Sequence, residues 1–223
     1  MKKYIPVLNK TKIFSGLSEK ETESMLSCLD ARVLQFKKGE YVLNCGEYLS
    51  ELPLLVRGSL HIQNDDYWGN RSILGMVSVG EMFGEAYAIS QNTALRVDVV
   101  ALEDSAVIFL NINKIIISCP SSCSFHSAVT KNLFLALSEK NRSLVQKIGH
   151  MSKRTTRDKL ISYLSAEAKK NKSSYFKTPF NRQQLADFLC VDRSAMSNEL
   201  CKMRDEGLLE FERSTFKLLK VIK

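Results

Sequence analysis

Residues Thr178–Leu209 read TPFNRQQLADFLCVDRSAMSNELCKMRDEGLL. The spacing predicts two short helices joined by a tight turn. Asn181 suits an N-cap, and Gln184 three residues on can reach back to the cap's backbone N–H. Leu185, Ala186 and Leu189 then follow at helical spacing. Asp192 is a second N-cap, after which Met196, Leu200 and Met203 recur at four and three residues. The opposite face of this second helix carries Arg193, Ser194, Ser197 and Asn198. A cation, hydroxyls and an amide near a helix N-terminus suit phosphates and base edges in a major groove. The plainer alternative is a helical hairpin that only packs.

Charge favours the first reading. The 223-residue chain has a formal charge of +8. Residues 1–152 hold 16 Lys+Arg against 15 Asp+Glu, whereas residues 153–223 hold 16 against 9. The excess therefore lies on the part that contains the two helices, as expected for a polyanion partner. Its basic residues are scattered through helix and strand patterns, unlike a polybasic membrane-binding run. No window approaches 18 uninterrupted apolar residues, and MKKYIPVLNKTKIF has no signal-peptide core, so a cytoplasmic protein without a membrane span is expected. In that compartment Cys28, Cys45, Cys119, Cys123, Cys190 and Cys201 should be reduced thiols.

Working back from the basic end, Thr155–Lys170 reads as a helix, and KKNKSS at 169–174 as a polar connection. LLEFE and FKLLKVI, split by Arg213-Ser214-Thr215, read as a small hairpin beside the two-helix motif. From about Ser124 to Met151, Phe134, Leu137, Asn141, Leu144, Ile148 and Met151 are spaced alternately three and four apart. That is a coiled-coil seam with one Asn at an a position, the device that fixes register and partner number in a homodimer. Leu133 and Val145 widen the stripe, so the helix should also touch its own barrel. An ordinary core helix is the alternative. Between Arg32 and about Leu110, short runs such as LPLLV, SLHIQ and SAVIFL alternate with Gly39, Gly46, Gly58, Gly69 and Gly80, which indicates an antiparallel barrel or sandwich. Residues 1–31 look helical, with a capping-box start at Ser18 and Glu21.

In this order the chain resembles the Crp/Fnr family of bacterial transcription regulators. The resemblance rests on IFSGLSE at 13–19, KKGEYVLNCGE at 37–47, LLVRGSLHI at 54–62, VGEMFGEAYAI at 79–89, VVALEDSAVIFL at 99–110 and the helix-turn-helix. It implies an α+β fold: an N-terminal antiparallel β-roll (a double-stranded β-helix), a long dimerisation helix and a C-terminal winged helix-turn-helix. The expected divisions are 1–123 for a cyclic-nucleotide-binding-like sensor, 124–152 for the dimer helix and 153–223 for the DNA-binding domain. The expected partners are double-stranded DNA with a twofold-symmetric site, a second copy of the chain, and RNA polymerase. Positions matching the family's base-reading residues are Arg193, Ser194 and Asn198. Ser197, Arg182, Gln183 and Lys202 are assigned to phosphates, which position without specifying. Ser194 and Asn198 depart from the glutamate and arginine of the best-known members, so the preferred half-site should differ. Cys190 stands where many such motifs have glycine, and Glu199 where the family is usually apolar.

For the sensor, Gly84 and Glu85 match the pair that begins a short helix and takes the ribose hydroxyl in cyclic-nucleotide-binding members. The phosphate-clamping Arg-Ser pair aligns with Leu95 and Arg96, and the adenine-holding hydroxyls with Leu144 and Val145. Arg96 could serve the phosphate, since a guanidinium fork suits phosphate oxygens. The missing pair disfavours cyclic AMP and leaves the effector unknown. Cys28 and Cys45 do not reproduce the family's iron–sulfur cluster spacing. Cys119, Cys123 and His126 offer three metal ligands where zinc takes four, so no metal is assigned, and His126 is disfavoured as a haem ligand. Trp68 belongs at a hairpin tip or a partner contact. No nucleophile elbow, phosphate-cradling glycine loop or zinc-protease helix points to an enzyme. Two readings stay open: a regulator gated by a small ligand or redox signal, and an ungated DNA-binding protein whose β-roll is only a dimer and RNA polymerase contact platform.

Overall fold

The computed structural model describes residues 1–65, 67–68, 71–117 and 124–219. They form two compact units, Met1–Leu137 and Ser138–Lys223. The order in the first is α1 (Ile5–Leu8), α2 (Glu19–Cys28), β1 (Arg32–Phe36), β2 (Tyr41–Leu43), β3 (Glu51–Arg57), β4 (Leu60–Asp65), β5 (Arg71–Val77), α3 (Glu85–Ser90), β6 (Asp98–Ala101), β7 (Ser105–Asn111) and α4 (Ile112–Ile116). Helix α5 (Ser124–Met151) begins in the first unit and ends in the second. There it is followed by α6 (Thr156–Asn171), β8 (Tyr175–Lys177), α7 (Arg182–Leu189), α8 (Arg193–Asp205), β9 (Leu209–Glu212) and β10 (Thr215–Leu218). This is the α+β architecture expected from sequence.

In the first unit two antiparallel sheets, in orders β1-β7-β3 and β2-β6-β4-β5, make the roll. Strands β3 and β7 are buried along almost their whole length. That explains why LPLLV and SAVIFL are continuous apolar runs rather than alternating ones. Both faces are covered, since one apolar cluster joins Leu54, Val107 and Ile108 of these strands to Leu8, Met25 and Leu29 of the N-terminal segment and to Val129 and Leu133 of α5. Gly58 closes the β3–β4 turn at φ +89°, and a Cβ there would lie 2.2 Å from Ser105 Oγ. Only glycine permits that approach.

The helical N-terminal segment divides into a 3-10 turn, the short α1 and the ten-residue α2, with turns between them. The start of α2 is as expected: Ser18 Oγ accepts from Glu21 N–H, and the Glu21 carboxylate accepts from Ser18 N–H at 2.8 Å. Helix α4 and strand β8 were not anticipated, being too short to show a period. Cys119 and Cys123 lie outside the described residues, as do Gly69 and the last part of the FKLLKVI run.

In the second unit α6, α7 and α8 enclose Leu160, Leu164, Leu185, Leu189, Met196 and Leu200, with Phe176 and Phe216 of the sheet β8-β10-β9 closing the core. The expected hairpin is therefore a three-stranded wing, whose extra strand β8 pairs with β10.

Candidate nucleic-acid interface

The helix-turn-helix is set by local capping. Asn181 Oδ1 accepts from Gln184 N–H, and Gln184 Oε1 accepts from Asn181 N–H, both at 2.9 Å. Helix α7 ends at Cys190, which takes the left-handed conformation, φ 49° and ψ 59°. The motif thus keeps the backbone that glycine usually supplies, with a side chain in its place. Two carbonyls left open at this helix end, Leu189 O and Cys190 O, accept from Lys159 Nζ at 3.1 and 3.2 Å. A cation there also meets the negative end of the helix dipole. Asp192 then caps α8, its Oδ1 accepting from Ala195 N–H at 2.7 Å.

Helix α8 has the two faces expected. Met196, Leu200 and Met203 are buried, while Arg193, Ser194 and Asn198 are exposed and Ser197 half-buried. Arg193 and Ser194 occupy the first two helical positions, where uncommitted backbone N–H groups and the helix dipole favour an anion. Lys202 is exposed one turn beyond Asn198, with Nζ 4.0 Å from Glu199.

Glu199 has a clear reason to stand at a position usually apolar. Its carboxylate lies 3.3 Å from Arg157 of α6, which also forms a bidentate pair with Glu206. The Arg157 side chain hydrogen-bonded to Glu206 holds that carboxyl below its ordinary range, and the guanidinium is held further above its own. An ion-paired strut between α6 and α8 replaces an apolar contact.

The four residues assigned to phosphates are not equivalent. Arg182 lies with its guanidinium over the rings of Phe211 and Phe216, at 4.7 and 5.0 Å, and burial lowers its pKa from the ordinary value. It ties α7 to the wing by cation–π contact. Gln183 donates its amide N–H to Asp187 on the same helix at 2.8 Å. Ser197 and Lys202 have no such attachment to the wing. At the β9–β10 turn, Arg213 is exposed with φ 50°. Sequence reading placed it in a turn and gave it no role, since nothing local says how far the turn projects.

The residues proposed for an effector are also located. Gly84 is left-handed, φ 66°, and a Cβ on it would lie 2.8 Å from Leu49 Cδ2. Glu85 opens α3 and is 7% exposed. Leu95, at the first position of the clamp pair, is core, and its backbone is tied to the 44–47 turn through Glu47 O and Gly46 N–H. Arg96 is exposed. A buried leucine offers a phosphate no donor, so the pair does not reproduce a cyclic-nucleotide clamp. Along α5, Phe134, Asn141, Leu144 and Ile148 are exposed, Leu137 is half-buried against the roll, and Met151 is half-buried. His61 and His150, which spacing left without partners, contact Gln63 at 2.6 Å and Ser162 at 2.8 Å.

Among the described residues no helix is long and apolar enough to cross a membrane, and no three His, Cys, Asp or Glu side chains group as a metal site.

Residues 33–116 match the family described as cyclic nucleotide-binding domain, and residues 158–221 the Crp-like helix-turn-helix domain. No curated protein matches by sequence. Among solved structures, CprK complexed with OCPA aligns at 14% identity over 90% of this chain and 92% of that one, with a TM-score of 0.64. The c-di-GMP-responsive global regulator CLP of Xanthomonas campestris aligns at 16% identity, 92% and 100% coverage, and 0.60. The catabolite activator protein of Thermus thermophilus aligns at 18%, 93% and 93%, and 0.50. With both domain matches in series on the expected fold, the chain belongs to the Crp/Fnr family of helix-turn-helix transcription regulators.

Proposed function

We propose that the protein is a homodimeric transcription regulator that lays α8 in the major groove of a twofold-symmetric DNA site. Arg193, Ser194 and Asn198 read base edges. Ser197, Lys202, Gln183 and Arg182 serve phosphates, with Arg182 acting from its seat on the wing. The observation that carries this reading is the division of α8. Its fully buried residues, Met196, Leu200 and Met203, are all apolar, whereas its outward side presents a cation, a hydroxyl and an amide from the first turn onward.

The dimer reading is supported by the exposed stripe Phe134, Leu144 and Ile148, more than half accessible each, with Asn141 among them. Contiguous exposed apolar side chains on a long helix mark an interaction surface. The same spacing that makes an a/d seam makes a second copy the fitting occupant. We assign control to a signal received by the β-roll near Gly84, Glu85 and Arg96, of a chemistry other than cyclic AMP. That two structural neighbours carry OCPA and respond to c-di-GMP supports small-molecule control as a class. RNA polymerase is the expected protein partner.

Arg193→Ala tests the reading. Loss of a bidentate contact to guanine costs about 1–3 kcal/mol. Affinity for the selected site should fall at least about fivefold, and affinity for random duplex much less. Equal loss on both would reassign Arg193 to a phosphate. Operator affinity measured with and without cell metabolites and oxidant separates gated from ungated regulation, and an invariant affinity favours the platform reading.

A further inference from the structure

Cys28 and His126 are 98 residues apart in sequence and meet at the base of the roll, with Cys28 Sγ 3.9 Å from His126 Nδ1. Cys28 is the last residue of α2 and is half-buried; His126 is in the first turn of α5 and is 4% exposed. The imidazole is fixed by a third group. Its Nε2–H donates to the carbonyl of Lys114 on α4. Thr130, one turn further along α5, donates to the next carbonyl, Ile115 O, at 2.7 Å. Two side chains of α5 thus occupy open carbonyls at the end of α4. With Nε2 turned to a carbonyl acceptor, Nδ1 is the ring nitrogen that faces the thiol.

A nucleophile, a base within reach and an orienting group behind the base make an activated-nucleophile arrangement. Two of the other described cysteines provide a contrast. Cys45 gives its S–H to Leu95 O at 3.4 Å, and Cys190 to Asp187 O at 3.6 Å. A peptide carbonyl can accept a hydrogen bond but is no base for the thiol proton. Position alone does nothing for Cys28, because a helix C-terminus disfavours an anion. His126 is a base within reach of the sulfur.

We propose that Cys28 is a peroxide- and electrophile-reactive thiol activated by His126. The thiol proton passes to Nδ1, and the thiolate sulfur attacks one oxygen of a hydroperoxide. The S–O bond forms as the O–O bond breaks. The departing oxygen takes the proton from the imidazolium and leaves as water or an alcohol, giving a sulfenic acid on Cys28 and a neutral His126. The modified site lies where α2, α4 and α5 converge, at the start of the helix proposed to carry the dimer seam. The proposal does not depend on the DNA-binding assignments.

The test is site-resolved labelling of the intact protein with a limiting pulse of iodoacetamide, read by peptide mass. Exposure alone ranks Cys45 and Cys190 above Cys28. Activation by His126 inverts that order, with Cys28 labelled at least about tenfold faster. Hydrogen peroxide followed by dimedone should trap a sulfenic acid on Cys28 first. His126→Gln keeps a donor for the Lys114 carbonyl but has no base at the Nδ1 position. It should slow Cys28 at least about tenfold and leave Cys45 and Cys190 unchanged. If that variant unfolds, the wild-type order decides. Labelling in the order of exposure, a Cys28 rate unaffected by His126→Gln, or an equivalent of zinc that shields Cys28 until chelated would each overturn the proposal.

Discussion

Cys190 holds a left-handed backbone at the turn between α7 and α8, a conformation that costs a residue with a Cβ about 1–3 kcal/mol. Glycine avoids this cost but loses more chain entropy on folding, which offsets about 0.5–1 kcal/mol. Cys190→Gly should therefore stabilise the second unit by about 1 kcal/mol, seen as a higher denaturant midpoint at unchanged m-value. Gly58 presents the opposite case. Its φ of +89° and the 2.2 Å approach of Ser105 Oγ to an added Cβ leave no space, so Gly58→Ala should destabilise the roll by more than about 2 kcal/mol. His150 gives a pH prediction. Burial lowers its pKa from the ordinary 6.5, so the folded state binds its proton less readily than the unfolded chain. Unfolding then takes up a proton on acidification. This contribution to stability is complete above about pH 6.5 and declines as pH falls through the lowered folded value. Denaturant melts from pH 7.5 to 5 should show that decline, and His150→Asn should flatten it.

At the scale of elements, α7 is short, and its start depends on a reciprocal pair of capping bonds. Asn181 and Gln184 exchange hydrogen bonds across the first turn, so Asn181→Ala should cost about 1 kcal/mol and loosen the support behind α8. Helix α5 is a different kind of element. Near its start Val129 and Leu133 are buried in the roll, whereas further on Leu144, Val145 and Ile148 face outward. Phe134, next to Leu133, is already exposed, so the helix turns one side to the roll and another outward. If the outward part is a seam between copies, Asn141→Leu should change oligomer mass or register, measured by light scattering together with half-site spacing on DNA. An unchanged mass and spacing would assign Asn141 to a solvated face.

For the whole molecule, the distribution of charge matters more than its total. The first 152 residues are nearly neutral, and the last 71 hold the excess of cations. Within that region some cations are committed internally: Arg157 to Glu199 and Glu206, Lys159 to the end of α7, and Lys217 to Glu210. The number of phosphates neutralised on binding should therefore be smaller than the count of basic residues suggests. The slope of log affinity against log salt reports that number directly, at about 0.9 per phosphate on duplex DNA. Lys202→Ala should lower the slope by about one per copy, whereas Lys217→Ala should leave it nearly unchanged.

The sequence by itself determined whatever depends on residues within about four positions of one another. The caps at Ser18, Asn181 and Asp192, the two faces of α8, the stripe on α5 and the buried runs of β3 and β7 are all of this kind. Helix and strand periods and capping bonds are local, so a linear reading reaches them. Tertiary structure decided what depends on the register of distant segments. It paired Glu199 with Arg157, set Arg182 on the wing, added β8 to the sheet, turned Leu95 into the core, and brought Cys28 to His126. The identity of a side chain states which partners it can accept; only the folded path of the chain determines which of them lies within 4 Å.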